Sequence, residues 1–510
     1  MPNERRLFLL LILMAGLVAY CNSFTVPFLF DDRYFILDPR AQAHFDPLWK
    51  VFVPPAHFDP RAHRPLVTLT LALNHLLGGA DTGGYHFLNL AIHLANGLLL
   101  WALLRRIIGL RPAFAAALLW IVHPLNSQCV TYIYQRAESL MALCCLLTLY
   151  GLTRSAEEPG KKNWHWLAVG ACAAGMLGKQ TMVVVPALAL LYDWTFLARG
   201  SKESLRERAG LHLALMSTWG ILAALWIFRQ RQVSEIPFTY AEIGPWQYAR
   251  SQPGVFLYYL RLAFWPYPLV FDYGWPVAQG MAAILLPSAA VGGLALLTLW
   301  TYRRLPAAGF AGFWVFILLA PVSTIIPTRE LLVEYRMYLP LAAILALTVS
   351  AGSKVFSRRQ AAAALACAAL ALTAATFLRN RDYQSDVLIW EDTVRKRPLY
   401  YRSQGNAGIA RLRAGQPALA LPHLQEAVRL NPTNPEMRIN YAVGLFDQKD
   451  PEEAMQQLKI ALELQPGRAE ALTLLDRVYR FNQRFPLPAR STPPSPILEP
   501  PGTPAGPPER

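Results

Sequence analysis

The sequence predicts an all-α protein in two parts, a polytopic transmembrane bundle of about 11 spans followed by a short α-solenoid. Two observations predict the bundle. Of the 510 residues, 54% are hydrophobic and only 16% are charged, whereas about 25% of residues in soluble proteins are charged. The apolar residues also gather in runs of bilayer length. The third observation is a 34-residue repeat near the C-terminus, which is typical of stacked helix pairs.

The first apolar run, about residues 7–24, follows Arg5 and Arg6 and has no small-residue cleavage site. We interpret it as a retained first helix that enters from the cytoplasm. The apolar stretch 65–77 is too short to cross the membrane and is predicted to form a surface or re-entrant helix. The stretch 255–271 contains Arg261 and two prolines and is predicted to lie at the outer interface. Further spans are predicted near residues 86–104, 112–122, 138–153, 164–177, 181–197, 210–228, 280–302, 309–326, 338–353 and 360–378.

Lysine and arginine are concentrated in alternate loops, and this bias predicts the orientation. The N-terminus is predicted to be cytoplasmic and the C-terminal repeats periplasmic. The compact loops and the short repeat array favour a bacterial inner membrane. The net charge of +15 is therefore a feature of membrane topology, and no nucleic acid partner is predicted. The six cysteines lie mostly in apolar runs, without the spacing of a disulfide framework or a zinc site.

The C-terminal third changes character near Arg379. Its 34-residue period is the signature of tetratricopeptide helix pairs. The sequence therefore predicts a membrane domain over 1–378 with a first outer loop at 25–85, a tetratricopeptide-repeat domain over 379–484 and a proline-rich disordered tail over 485–510. The recurring pairs are Asn406 and Asn440, Ala420 and Ala454, Leu424 and Leu458, Ala427 and Ala461, Leu430 and Leu464, and Pro432 and Pro466.

Ionisable side chains are placed at the predicted outer ends of the helices. Directly after the first span come Asp31 and Asp32, which either transfer a proton, bind a ligand or simply begin a solvated loop. For any single pair of charges, a helix-packing salt bridge is the alternative. Acids and cations from four outer turns together suit a phosphate-bearing ligand. The other members of the set are Arg136 and Glu138 after His123-Pro124, Lys179 with Gln180, and Glu334 with Arg336.

Seven groups of residues form an ordered set of motifs over about residues 20–340. They are Asn22-Ser23 with Phe30-Asp31-Asp32, Arg64-Pro65 with Leu73-Asn74-His75, Gly84-Tyr85-His86 with Asn89 and His93, His123-Pro124 with Arg136-Ala137-Glu138, Gly178-Lys179, Pro186 with Leu191-Tyr192-Asp193, and Glu334-Tyr335-Arg336-Met337-Tyr338-Leu339-Pro340. With these motifs the chain resembles C-type (GT-C fold) glycosyltransferases, in particular the transmembrane, tetratricopeptide-repeat (TMTC-like) proteins related to protein O-mannosyltransferases. It departs from that pattern at Gln180, where an acidic residue is frequent.

The resemblance implies a lipid-linked donor, a polyprenyl-phosphate hexose such as mannose, used outside the cytoplasm. A hydroxyl acceptor would attack with inversion. By the same resemblance, Asp31 would be the general base, and Asp32 would orient the acceptor or help to hold a divalent metal, whose use stays open. Arg136, Lys179 and Arg336 would neutralise the donor phosphate. The supporting residues would be Glu138, Glu334, Arg64, His86 and His123.

Three functions remain open at this point. The first is a glycosyltransferase acting on Ser or Thr hydroxyls of an extracytoplasmic protein, which the repeats help to dock. The second is a non-enzymatic scaffold or assembly factor, although a simple anchor needs one or two spans rather than eleven. The third keeps the lipid-linked chemistry but makes a cell-surface glycan, as a polymerase or ligase does.

Overall fold

The computed structural model describes residues 2–53, 64–232, 243–324, 327–328 and 330–484. Within these residues all regular secondary structure is helical. The proline-rich stretch 485–510, predicted to be disordered, lies outside the described residues. The longer helices are α1 Pro2–Tyr20, α2 Pro65–Gly78, α3 Thr82–Ile107, α4 Leu110–Ile121, α5 Arg136–Glu157, α6 Asn163–Gly178, α7 Val185–Tyr192, α8 Ala209–Ser217, α9 Trp219–Gln232, α10 Pro245–Phe264, α11 Met281–Arg304, α12 Pro306–Leu319, α13 Pro340–Val355, α14 Arg358–Asp382, α15 Asp386–Lys396, α16 Tyr401–Arg413, α17 Pro417–Leu430, α18 Pro435–Asp447, α19 Pro451–Leu464 and α20 Ala469–Arg484.

The predicted multi-pass membrane architecture is confirmed. Among the described residues, 7 helical segments are long and apolar enough to cross a membrane, and the bent pair Leu110–Ile121 and Pro124–Thr131 raises the number to 8. The other three predicted spans coincide with the shorter helices α6, α12 and α13. The seven long segments are Asn3–Ser23, Thr82–Ile107, Ile133–Glu157, Gln180–Leu197, Ala209–Phe228, Met281–Arg304 and Arg358–Asp382.

Proline explains the bend in the third predicted span. Pro124 cannot donate a backbone hydrogen bond, and the residue before a proline avoids helical geometry. Accordingly His123 is extended, with φ −75° and ψ 126°, and the chain turns by 53° between the two helices. The bend carries residues 127–135 across the end of the bundle, where Tyr132 and Tyr134 meet the loop that follows α1.

A buried polar network fixes α3, α4 and α13 against each other. The Nε2–H of His93 donates to the Ile121 carbonyl (2.9 Å), so its Nδ1 accepts from the Tyr338 hydroxyl (2.7 Å). The side-chain amide of Asn96 donates to the same hydroxyl (3.2 Å), and the indole N–H of Trp120 donates to the Tyr338 carbonyl (2.7 Å). Tyr338 therefore anchors the turn 334–337, which contains two of the predicted site residues.

We expect Tyr338→Phe to destabilise the bundle by about 1–3 kcal/mol, because it leaves the buried His93 Nδ1 without a donor. Thermal unfolding of the purified protein in detergent measures this loss. Tyr267→Phe is a matched control, since Tyr267 is 66% exposed. Equal melting temperatures for the two variants would show that the network contributes nothing.

The chain forms two compact units, Met1–Ser403 and Gln404–Arg510. In the C-terminal unit the predicted repeat is visible in the helices, because α17 and α19 begin at Pro417 and Pro451, one period apart. The repeated residues Ala420, Leu424 and Ala427 and their counterparts Ala454, Leu458 and Ala461 are all 0% exposed. The solenoid is thus packed through the positions that repeat in the sequence. The domain boundaries predicted at 378/379 and 484/485 stay predictions.

Candidate active site

The loop that follows α1 is held in place by Asp32. Its Oδ2 accepts the Leu29 N–H (3.0 Å), and its Oδ1 accepts the Tyr134 N–H (2.7 Å). The side chain is 1% exposed. Burial raises the pKa of Asp32 well above its usual value, and the two backbone N–H groups oppose this shift. Both carboxylate oxygens are therefore engaged in joining the first loop to the segment before α5.

Asp31 is less buried than Asp32 and stands beside Tyr132. The Asp31 N–H donates to the Tyr132 hydroxyl (3.0 Å), and the same hydroxyl is hydrogen-bonded to the Asp31 side chain. Tyr134 lies within electrostatic reach of both aspartates. Of the two adjacent carboxyl groups, Asp31 is the one that a substrate can approach.

Lys179 and Glu138 form a buried salt bridge. They are 7% and 5% exposed, respectively. The Lys179 Nζ also lies 4.7 Å from the centroid of the Tyr335 ring. Burial lowers the pKa of Lys179, while Glu138 opposes this effect. The pair joins α5, the turn after α6 and the turn before α13.

Arg64 lies between the Asp31 and Lys179 sides of this region. It occupies the N-cap position of α2, with Pro65 in the first turn. Its guanidinium carbon is 5.5 Å from the centroid of Tyr134, and it is close enough to Lys179 to repel it electrostatically. Its buried Nε and Nη1 have no hydrogen-bond partner among the described residues. Among the predicted site arginines, Arg64 is therefore the one whose guanidinium N–H groups are available to a ligand.

Arg136 has a different environment. It is 0% exposed and is surrounded by neutral acceptors. Its Nε donates to the Asn89 side chain (2.6 Å), its Nη1 to the Asn74 side chain (2.7 Å) and its Nη2 to the Tyr85 carbonyl (2.9 Å). These bonds tie α2, α3 and α5 together. Its phosphate-binding role stays a prediction, while the visible contacts are those of a scaffold residue.

Arg336 is likewise bonded to the chain around it. It donates to the Thr328 hydroxyl (2.8 Å) and to the carbonyls of Glu330 and Leu331 (both 3.0 Å). It is 6% exposed. Its role toward the donor phosphate also stays a prediction. What the contacts show is that Arg336 holds Thr328, Glu330 and Leu331 against the turn before α13.

Glu334 belongs to a network that the sequence did not indicate. It accepts the Val270 N–H (2.6 Å) and the Tyr273 hydroxyl (3.0 Å), and it lies 4.0 Å from Arg379. Arg379 in turn pairs with Asp392 at 3.0 Å. The only available signal was an arginine at the end of the last apolar run. Nothing in the sequence connected it to Glu334.

The two predicted histidines make backbone contacts. The Nε2–H of His86 donates to the Val26 carbonyl (2.8 Å), which fixes the first outer loop on α3. His123 accepts the Leu125 N–H (3.2 Å) and donates to the Ala263 carbonyl (3.2 Å). Tyr132, which contacts Asp31, was missed because it lies in an aromatic and apolar run and carries no charge.

The described residues contain no group of three or more His, Cys, Asp or Glu side chains placed to hold a metal ion. Asp32, the residue considered for such a role, accepts one backbone N–H on each carboxylate oxygen, so its visible contacts are structural. We therefore derive no step through a metal.

The fold and site define a class: a multi-pass helical membrane protein with a carboxylate and cations at one end of its helices and a tetratricopeptide solenoid after them. Residues 62–227 match the family model described as dolichyl-phosphate-mannose-protein mannosyltransferase. Residues 411–478 match the tetratricopeptide repeat model. Together with the relatives below, these matches confirm the resemblance predicted from the motifs.

Curated relatives include the protein O-mannosyl-transferase Tmtc3 of Drosophila melanogaster, 29% identical over 38% of this chain and 24% of that protein. The mouse protein O-mannosyl-transferase TMTC2 is 28% identical over 40% of this chain and 27% of its own length. The chain thus spans about a quarter of these relatives. The solved structure of ArnT from Cupriavidus metallidurans bound to undecaprenyl phosphate aligns over 92% of this chain and 87% of that chain, with 16% identity and a TM-score of 0.44.

Proposed function

We propose that the chain is an inverting glycosyltransferase that moves a hexose, in the first instance mannose, from a polyprenyl phosphate to a Ser or Thr hydroxyl of an extracytoplasmic protein. One observation carries the proposal: an approachable carboxylate, Asp31, shares a region with two cations, Arg64 and Lys179. The matched family model and the O-mannosyl-transferase relatives support the same chemistry. The alignment covers only part of these relatives, so the activity is our inference for this chain.

The residues have separate tasks in the proposed reaction. Asp31 accepts the proton of the acceptor hydroxyl as its oxygen bonds to the anomeric carbon. The bond between that carbon and the donor phosphate oxygen breaks, and polyprenyl phosphate leaves with the electron pair. Arg64 and Lys179 neutralise the charge that develops on the phosphate. Asp32 does not react; it holds the turn that presents Asp31.

The direct test is sugar transfer by the purified chain in proteoliposomes. Polyprenyl-phosphate mannose with a radiolabelled sugar is offered together with a Ser- and Thr-containing protein, and parallel samples contain other lipid-linked hexoses. We expect label on the protein and release of one polyprenyl phosphate per sugar transferred. No transfer from any donor above protein-free vesicles would favour the non-enzymatic scaffold. Label in a lipid-linked oligosaccharide would favour a polymerase of cell-surface glycans.

We also propose that the solenoid docks the acceptor, because tetratricopeptide grooves bind peptides and partner proteins. A chain ending at Ser403, the last residue of the first unit, should transfer sugar to a short Ser and Thr peptide at the full-length rate, yet lose about tenfold or more with a protein acceptor. The peptide reaction shows that the shortened chain is folded. An equal loss with both acceptors would contradict this division of tasks.

The proposed orientation has the N-terminus in the cytoplasm and Asp31 on the periplasmic side of a bacterial inner membrane. The distribution of lysine and arginine between the loops supports it.

A further inference from the structure

A second feature of the membrane unit is a cavity of about 460 Å³, separate from the candidate active site. It lies between α3, α5, α12 and α13, and none of the candidate site residues is among the residues that line it. Its walls are mainly aliphatic and aromatic, for example Leu100, Leu149, Phe310 and Trp314. On α13 it extends to Lys354, about 20 Å along the helix from Pro340, which follows the turn 334–337.

Small residues line the cavity on two helices. On α13 the lining residues Ala342, Ala346, Ser350 and Ser353 recur at intervals of three or four, so they share one helix face. From Ala342 to Lys354 this face extends about 18 Å, roughly half of the hydrocarbon thickness of a bilayer. The adjoining wall on α12 includes Ala307 and Ala311. The length is that of an acyl chain in one leaflet.

One end of the cavity is polar and basic. Ser350, Ser353 and Lys354 line it there. Arg303 and Arg304 in the last turn of α11 are not lining residues themselves, but they directly precede the lining residues Leu305 and Pro306. All three cations are exposed. No carboxylate is among the described lining residues. An apolar slot that ends at unneutralised cations is complementary to a lipid with an anionic head group.

We propose that this cavity binds an anionic membrane phospholipid, with one acyl chain along α13 and the phosphate near Lys354, Arg303 and Arg304. The acyl chain fills a space that would otherwise leave its walls without packing partners. The cations select the head group, because each lysine or arginine near a membrane surface favours an anionic lipid. The proposal is independent of the proposed sugar transfer.

The experiment is native mass spectrometry of the full-length protein, purified in mild detergent and supplied with defined lipids. Equal concentrations of phosphatidylglycerol, phosphatidylcholine and polyprenyl phosphate are compared. The wild type should retain one phosphatidylglycerol, with about tenfold preference or more over phosphatidylcholine. Ala346→Phe, which fills the slot, should lose this lipid at least about tenfold. The double variant Arg303→Glu, Lys354→Glu should retain both phospholipids equally.

Two matched controls are available. Ala351→Phe adds the same bulk at an exposed α13 position outside the lining, and Lys162→Glu reverses an exposed charge elsewhere. Both should retain phosphatidylglycerol as the wild type does. Unchanged binding by Ala346→Phe or by the charge-reversed variant would overturn the proposal. So would a loss of polyprenyl phosphate, but not of phosphatidylglycerol, in Ala346→Phe. If Ala346→Phe does not fold, the proposal is tested by the charge-reversed variant, which is changed only at exposed positions.

Discussion

Asp31→Asn should lower the rate of sugar transfer by about 10²–10⁴-fold, the usual contribution of a positioned general base. The amide keeps the shape of the side chain and the backbone contact of residue 31 with Tyr132, but it cannot take a proton from the acceptor. Because Asp31 is only partly buried, the change should leave the melting temperature nearly unaltered. Transfer from lipid-linked mannose in proteoliposomes, at matched protein content, measures the effect.

Asp38→Asn is the matched control, since Asp38 lies in the same loop and its side chain accepts the Arg40 N–H at the start of a short helix. It should transfer sugar at close to the wild-type rate. A wild-type rate for Asp31→Asn would remove Asp31 from the chemistry. In that case Asp32 would need testing, although its oxygens are occupied by the Leu29 and Tyr134 N–H groups.

Replacing Lys179 should strongly lower both the stability of the protein and the rate of sugar transfer. Lys179→Met leaves the buried Glu138 carboxylate without its partner, which costs about 3–5 kcal/mol. Loss of activity in this variant alone would therefore be uninformative. The double variant Lys179→Met, Glu138→Gln removes both charges and should recover most of the stability, because a neutral buried pair has no unpaired ion.

In the double variant, transfer should still be lower by about 10²–10³-fold, because it lacks the cation that we propose to neutralise the leaving phosphate. Glu138→Gln alone, which keeps the cation, should retain more activity than the double variant. Thermal unfolding and sugar transfer are measured on the same preparations. A stable double variant with wild-type transfer would show that the pair only holds α5 to the neighbouring turns.

The architecture was predictable because the patterns that indicate it lie along the linear sequence. Apolar runs of bilayer length and a fixed 34-residue period are properties of the chain order itself. The helices α17 and α19 accordingly begin one period apart, at Pro417 and Pro451. It was harder to predict which runs are long enough to cross: the run at 164–177 forms the 16-residue helix Asn163–Gly178, which is not one of the seven long apolar segments, and Pro124 bends another span.

The candidate site was predictable as a set of residues but not in the role of each. Charge at the outer helix ends indicated Asp31, Lys179 and Glu138. No sequence pattern showed that Arg136 is enclosed by Asn74, Asn89 and Tyr85, because those contacts join residues about 50–60 positions apart. For the same reason the pairing of Glu334 with Arg379 was missed.

These contacts change which arginine we expect to bind the donor phosphate. Arg136 and Arg336 have their N–H groups directed at protein acceptors, whereas Arg64 has buried nitrogens without a partner among the described residues. Arg64, first considered a supporting residue, is therefore the arginine that we expect to contact the donor phosphate. The two buried arginines would then hold the helices and the turn that frame it.

The measurement that tests the central claim most directly is the anomeric configuration of the product. Transfer from polyprenyl-phosphate mannose carrying ¹³C at the anomeric carbon, followed by NMR of the purified acceptor, gives the one-bond carbon–proton coupling. With Asp31 as base in a single displacement, the product must have the configuration opposite to that of the donor. Retained configuration would contradict the account, since it requires a second displacement and makes a carboxylate such as Asp31 the nucleophile.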